Sequence, residues 1–279
     1  MKLGCSTILY GGYSLDEALD GIAKAGYAAI ELCARPGMAP HVEIGKSDSY
    51  YLNIKNQIAS RGLAIESLAG TGGISMTSDD FPRVLEAARL LGAPMIAEGA
   101  GGEAPMVEND AFAPEYEASL HGVIDILNRA AEQSAEYGVK LAIKPHVGTA
   151  IYSCKSILKA MPQLNADWIG LNYDASHIWR SGTGEDPLDT LRQVKQYAIT
   201  FRIRDNRASR ERPIGPVENQ IPGNGVLDLP ALAQEMQTTE RAQYVVLEIV
   251  GTHNGTGYSL ESVQGVVDRS FAYLSPLFS

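Results

Sequence analysis

The sequence predicts an α/β protein folded as a (β/α)8 TIM barrel, and three observations carry that expectation. Eight short apolar runs alternate with helical patterns along 279 residues, a length that such barrels occupy as one domain spanning 1–279. The runs are apolar throughout, as strands must be when a parallel sheet is covered by helices on its outer face. No GxGxxG follows an early strand, as it would in the doubly wound sheet that is the alternative; Gly11-Gly12, Gly72-Gly73 and Gly99 to Gly102 lack the register.

Each unit announces itself in order. Leu3-Gly4-Cys5 is the first strand. Ser14-Leu15-Asp16-Glu17 is a capping box, followed by Leu15, Ala18, Leu19, Ile22 and Ala25 at helical spacing until Gly26 stops the helix before Ala28-Ala29-Ile30. The same grammar brings Ile54, Ile58 and Gly62 before Leu63-Ala64-Ile65, and Val84, Leu85, Ala88, Leu91 and Gly92 before Met95-Ile96-Ala97. Ile124, Ile126, Leu127, Ala130 and Gly138 precede Leu141-Ala142-Ile143. Ile157, Leu158 and Met161 precede Trp168-Ile169-Gly170-Leu171; Leu191, Val194 and Tyr197 precede Ile199-Thr200-Phe201; Leu229, Leu232 and Met236 precede Tyr244-Val245-Val246-Leu247. A last helix covers Val263 to Leu274. The irregular stretches Arg35 to Asp48 and Asp205 to Asp228 both follow strands, which places them on the C-terminal face where barrel loops cover active sites.

Composition narrows the partner. With 33 acidic against 23 basic residues, the net charge of -10 disfavours nucleic acid and anionic lipid and favours a small molecule. Cys5, Cys33 and Cys154 are odd in number and show no CxxC, so no disulfide framework is expected and a reducing cytoplasm fits. The start lacks the apolar core of roughly 7–15 residues of a secretory signal, and no run approaches the ~18 apolar residues of a membrane span.

The charges fall at the strand ends. Glu31, Glu66, Glu98, Lys144, Asp174, Arg202 to Asp205, and Glu248 each close an apolar run, and in a barrel these positions converge on one mouth. Single members can be ion-paired supports; a ring of them at buried strand ends implies a site.

The residues Gly26-Tyr27-Ala28-Ala29-Ile30-Glu31, Leu141-Ala142-Ile143-Lys144-Pro145-His146 and Gly170-Leu171-Asn172-Tyr173-Asp174-Ala175-Ser176-His177 come in the order and spacing of a known group. With Phe201-Arg202-Ile203-Arg204-Asp205, Pro222-Gly223-Asn224-Gly225-Val226-Leu227-Asp228 and Leu247-Glu248, the chain resembles the xylose isomerase-like TIM barrel superfamily, the sugar phosphate isomerase/epimerase group, from end to end. The resemblance implies a divalent cation held by a glutamate on the fifth strand, an aspartate on the sixth, a histidine on the seventh and a glutamate on the eighth. Asp174 and Glu248 match that pattern, whereas Lys144 and Arg202 stand at the other two positions. Arginine offers no lone pair, and an ammonium can ligate only after losing its proton. The four side chains sum to zero where the family's sum to -3, so no metal is expected. The minority alternative is Mn or Mg at Asp174 and Glu248, helped by His177 or Glu31.

The resemblance further implies proton transfer beside a carbonyl on a sugar-like or carboxylate-bearing substrate, which needs a base, an acid and a positive group facing the enolate oxygen. Lys144 and Arg202 can be the cations, Glu248 or Asp174 the base, and His177 or Asp205 the proton donor. Without the strand-five glutamate the two-face scheme of ketose epimerases is incomplete, so isomerase, lyase or dehydratase chemistry stays open beside epimerisation. A Schiff base at Lys144 is disfavoured because Asp174 and Glu248 hold the ammonium form. Glu31, His146, Asp205, Arg204 and Glu98 are the expected substrate contacts. Arg202, Arg204, Arg207, Arg210 and Arg212 form a cluster suited to carboxylate or phosphate, or else a solvated loop paired with acids. Trp179 and Tyr10 can wall a substrate ring, or simply pack. A non-catalytic sugar-binding barrel is the competing class, favoured if Lys144–Asp174 and Arg202–Glu248 close on each other and leave no cavity. A DNA-repair endonuclease shares the barrel but needs more histidines and a basic track. A homo-oligomer is common in such barrels.

Overall fold

A computed structural model describes residues 1–103, 114–253 and 256–279. The strands are β1 Lys2–Ser6, β2 Ala29–Arg35, β3 Ala39–Pro40, β4 Ala64–Ala69, β5 Met95–Gly99, β6 Lys140–Lys144, β7 Ile169–Asp174, β8 Ala198–Ile203 and β9 Tyr244–Leu247. All but β3 run parallel in the order β1-β9-β8-β7-β6-β5-β4-β2, and β1 pairs with β2 to close the ring. The eight predicted runs are the eight barrel strands. The two-residue β3 lies antiparallel on β2, pairing Ala34 with Pro40. Too short to show a period, it was invisible inside the irregular stretch after Arg35.

The helices are α1 Leu15–Ala25, α2 Asp48–Ser60, α3 Phe81–Leu91, α4 Pro114–Tyr137, α5 Cys154–Ala160, α6 Ala175–Trp179, α7 Pro187–Val194, α8 Val217–Gln220, α9 Leu229–Met236 and α10 Leu260–Leu274. Local chemistry sets their ends. Ser14 and Glu17 form the reciprocal capping box of α1, and Gly26 ends it at φ 103°, a left-handed conformation that glycine adopts without a Cβ penalty. Asp228 caps α9 through the Ala231 amide at 3.0 Å. None of the described helices is long and apolar enough to cross a membrane.

The main apolar core lies between the barrel and its helices, where Leu19, Ile22, Leu85, Leu127, Leu191 and Val263 are buried against strand residues such as Ile30, Ile143 and Leu247. Inside the barrel a separate small cluster of Ala97, Ala142 and Ile199 fills the space. Gly170 makes room for it, since a Cβ there would lie 2.5 Å from Ile199 Cγ2. The side-chain period of two then carries Ala142 to Lys144, and Asn172 to Asp174, on the inward face. Apolar filling therefore gives way to charge at the C-terminal ends.

Candidate active site

The strand ends build two tiers. Register places Glu31 beside Ser6 and Ser67, Gly99 beside Lys144, and Asp174 beside Arg202. Glu248 follows β9 directly, across the mouth from β6.

Arg202 forms the lower tier. It is fully buried, and its guanidinium spends every nitrogen: Nε donates to Glu31 Oε2 at 2.8 Å, Nη1 to Thr200 Oγ1 at 3.0 Å and to the Phe201 carbonyl at 3.1 Å. Nη2 donates to Glu31 Oε2, to Glu66 Oε2 at 3.2 Å and to Ser67 Oγ at 3.0 Å. Burial alone would ease its proton off; Glu31, Glu66 and Glu248 more than offset that and hold the charge.

The upper tier opens to solvent. Lys144 Nζ donates to Glu248 Oε2, and each side chain keeps 10% of its surface exposed. Burial pushes the Glu248 carboxyl upward in pKa, but Lys144, Arg204 and Arg202 hold it well below the usual carboxylate range. Arg204 donates from Nη2 to Asp174 Oδ2 at 2.9 Å, from Nε to Ser176 Oγ at 3.0 Å and from Nη1 to the Glu248 carbonyl at 3.2 Å. Above this tier lies a cavity of about 850 Å³, within the size range of small-molecule sites. Lys144, Glu248, Arg204, His146, His177, Glu31 and Glu98 reach it, together with apolar Ile8, Met38, Ile74 and Val250.

The two histidines divide the work. Their rings are 4.1 Å apart. His177 is buried, with Arg204 Nη2 2.9 Å from Nε2, and Arg180 Nη2 and the Val147 amide each 3.2 Å from Nδ1. Burial and these cations drive its pKa well below the ordinary value, so the ring is neutral. His146 is exposed to the cavity; its Nδ1 donates to the Val147 carbonyl at 2.8 Å, which leaves the Nε2 lone pair free. Burial, with Lys144 and Arg204, lowers its pKa as well. The thiols take no part: burial pushes Cys33 up to about 12, and Glu31 pushes the same way.

Several sequence expectations change. The closed pairs Lys144–Asp174 and Arg202–Glu248, which would have favoured a non-catalytic barrel, do not fill the mouth: Lys144 pairs with Glu248, Arg202 with Glu31 and Glu66 and only at 3.7 Å with Glu248, and Arg204 with Asp174, and the cavity stays open above them. Arg202 and Asp174 are sealed beneath the cavity wall, because Arg202 is tied down by two carboxylates and Asp174 Oδ1 caps α6 at the Ser176 amide, 2.9 Å away. Asp205 does not reach the cavity either. It clamps the following loop, accepting from the amides of Asn206 at 2.8 Å, Gly223 at 3.0 Å and Leu227 at 3.0 Å. His177, enclosed by donors, is not placed as a charged proton donor. Glu98 sits at the rim, bound to Arg35 at 3.1 Å. Tyr10 donates to Gln264 and Trp179 carries Arg210 on its ring at 3.8 Å, so both pack rather than wall a substrate. Arg180 and Arg35 also border the cavity and were not singled out from sequence, whereas Arg212, which borders it too, belongs to the arginine cluster read there. Only the side chains Trp179-Arg180, just beyond the sixth-strand motif, offered a local signal.

The donor set does not fit the divalent cation that the resemblance implies. Asp174 spends its oxygens on a helix cap and Arg204, Glu248 is bonded to Lys144, and Arg202 fills the space toward Glu31. No three His, Cys, Asp or Glu side chains among the described residues come together as a possible metal site.

Comparison with known proteins adds relatives. Residues 19–267 match the family model described as xylose isomerase-like TIM barrel. An inosose dehydratase of Geobacillus thermodenitrificans is 25% identical over 220 residues, covering 70% of this chain and 72% of that protein. The rhizopine catabolism protein MocC of Rhizobium meliloti is 25% identical over 48% of this chain and 42% of its own. Among solved structures, the probable 3-DHS dehydratase AsbF of Bacillus anthracis superposes with a TM-score of 0.75 at 16% identity over 99% of both chains. D-psicose 3-epimerase of Clostridium cellulolyticum does so at 0.76 with 11% identity over 100% of both. At such identities these likenesses speak for the fold alone.

Proposed function

The chain belongs to the xylose isomerase-like TIM barrel family, and from that premise we propose that it dehydrates a polyhydroxylated ketone through an enolate held by protein cations. The observation that carries this reading is the pairing, in one cavity, of a neutral His146 with a free Nε2 and the Lys144 ammonium on Glu248. His146 Nε2 takes the proton from the carbon beside the carbonyl. The C–H electron pair forms the C=C bond, and the carbonyl oxygen becomes an enolate that Lys144 stabilises. The electrons then return to break the C–O bond at the next carbon, and the leaving hydroxide takes the proton back from His146 as water. Nothing is oxidised or reduced. Glu248, held ionised by its cations, keeps Lys144 charged and oriented rather than serving as the base.

Elimination suits this cavity better than epimerisation. A two-face epimerase needs an acid/base group on each side of one carbon. Here, among the described residues, His146 is free, while Glu31 and Glu98 are each bonded to an arginine. Relatives named inosose dehydratase agree with that choice.

The test is proton exchange and enone formation in D2O, followed by NMR and ultraviolet absorbance, with an inosose, 2-ketogluconate and 5-ketogluconate as candidates. We expect α-deuteration followed by loss of water with at least one of them. His146→Asn should slow both by about 10²–10⁴-fold, and EDTA should leave the rate unchanged. Exchange undiminished in the variant, or activity lost to EDTA and restored by Mn²⁺, would sink the mechanism.

A further inference from the structure

Arg180, the residue that follows α6, stands out on the cavity wall because it is buried and, among the described residues, has no carboxylate bonded to it. It is 3% exposed. Its Nη1 donates to the Arg212 carbonyl and its Nη2 approaches His177 Nδ1 at 3.2 Å. Its Nε has no partner among the described residues. A guanidinium carries five N–H donors, so three are unspent here. The other buried or half-buried arginines near the centre are neutralised by contact: Arg202 by Glu31 and Glu66, Arg204 by Asp174, Arg35 by Glu98. Burial, reinforced by Arg204, lowers the Arg180 pKa to about 10, which is what a buried cation without a bonded counter-ion shows. The exposed Arg212 borders the same cavity, and no ion pair binds it among the described residues.

A buried, unpaired charge costs several kcal/mol unless something completes it. A planar anion fits the fork of spare donors, whereas a hydroxyl would leave the charge uncompensated.

We propose that Arg180, with Arg212 beside it, is a carboxylate subsite, so that the ligand of this cavity is a polyhydroxylated keto acid rather than a neutral polyol ketone. The ketone half of that class rests on the dehydratase reading above; the carboxylate half rests on Arg180 alone. The subsite would anchor the acid end while the ketone lies over Lys144.

Calorimetric titration of the whole protein with matched probes tests it: D-gluconate against D-glucitol, and pyruvate against hydroxyacetone. The anion of at least one pair should bind about tenfold or more tightly than its neutral counterpart. Arg180→Met should abolish that preference, Arg180→Lys should keep part of it, and Arg212→Met should weaken it. Because no carboxylate among the described residues would be orphaned, Arg180→Met should melt no lower than wild type; should it fail to fold, the lysine and Arg212 variants carry the test. Equal affinity for anion and neutral in wild type, no binding of any probe, or a preference that survives undiminished in Arg180→Met (in Arg180→Lys and Arg212→Met, should the methionine variant not fold) would overturn the subsite. His146→Asn separates the two readings: it should keep the anion preference while losing exchange. Preference present without exchange in wild type sinks the dehydration alone.

Discussion

The inside of the barrel and its mouth use the same residue types and treat charge in opposite ways. Below the cavity, one guanidinium lies between Glu31 and Glu66 with all its nitrogens bonded, and Thr200 and Ser67 complete the shell. At the mouth, Lys144, Arg204 and Arg180 face Glu248 and Asp174, and Arg180 keeps donors unspent. The interior therefore carries a formal excess of negative charge and the mouth an excess of positive charge. A closed lattice of this kind fixes strands in register; an incompletely paired one waits for a ligand. The family position that the sequence pairs with metal chemistry, Arg202, has become part of the closed lattice. Lys144 has stayed in the open one.

The largest effect should come from breaking the closed tier. Arg202→Met leaves Glu31 and Glu66 buried beside each other without a cation. We expect a loss of about 3–5 kcal/mol in urea unfolding, because removing one partner of a buried pair leaves the other uncompensated. Adding Glu31→Gln and Glu66→Gln should recover much of it. If Arg202→Met alone is as stable as wild type, the tier is not a structural lattice and the contrast with the mouth collapses.

Lys144→Met should separate stability from chemistry. Glu248 would still have Arg202 Nε and Arg204 Nη1 at 3.7 Å, so its charge is not orphaned. The loss should be about 1–2 kcal/mol, below that of Arg202→Met. Enone formation should fall by about 10²-fold or more, as for removal of a preorganised group facing an oxyanion. Equal stability losses in the two variants would erase the distinction between tiers.

The sequence showed the barrel and the position of its mouth because both rest on local signals. Apolar runs, capping boxes and glycine stops are read within a few residues, and a charge at a strand end is visible by itself. Partner choice is not local. Lys144 and Glu248 are brought together by barrel closure, and whether Lys144 meets Asp174 or Glu248 depends on strand tilt and on Arg204, which claims Asp174 first. Asp205 looked like a site residue for the same reason that it is a good clamp: a carboxylate at a strand end can serve a ligand or three amides of its own loop. Arg180 went unnoticed because what distinguishes it is a missing partner, and no sequence pattern displays an absence.

The smallest expected effect is also the finest test of the mouth. His177, His146 and His41 all have pKa values lowered by burial, His177 the most. Each folded value lies below the unfolded one of about 6.5, so between the two the unfolded chain binds more protons. Stability is therefore full above pH ~6.5 and declines as pH falls below it, by at most about 1.4 kcal/mol per unit for each histidine. Glu248 acts in the same direction, since its folded value is depressed; its share is lost only below pH ~4.3, which leaves pH 6.5 to 5 to the histidines. His177 faces Arg204, Arg180, Lys144 and His146 as cations or potential cations, with Asp174 Oδ2 the opposing charge at 3.6 Å. Urea unfolding at pH 7.5 and 5.5 should therefore show wild type losing about 1 kcal/mol more than His177→Gln. An equal loss would mean that Asp174 outweighs the cations and His177 is protonated, and the mouth would then hold a second charged donor beside Lys144.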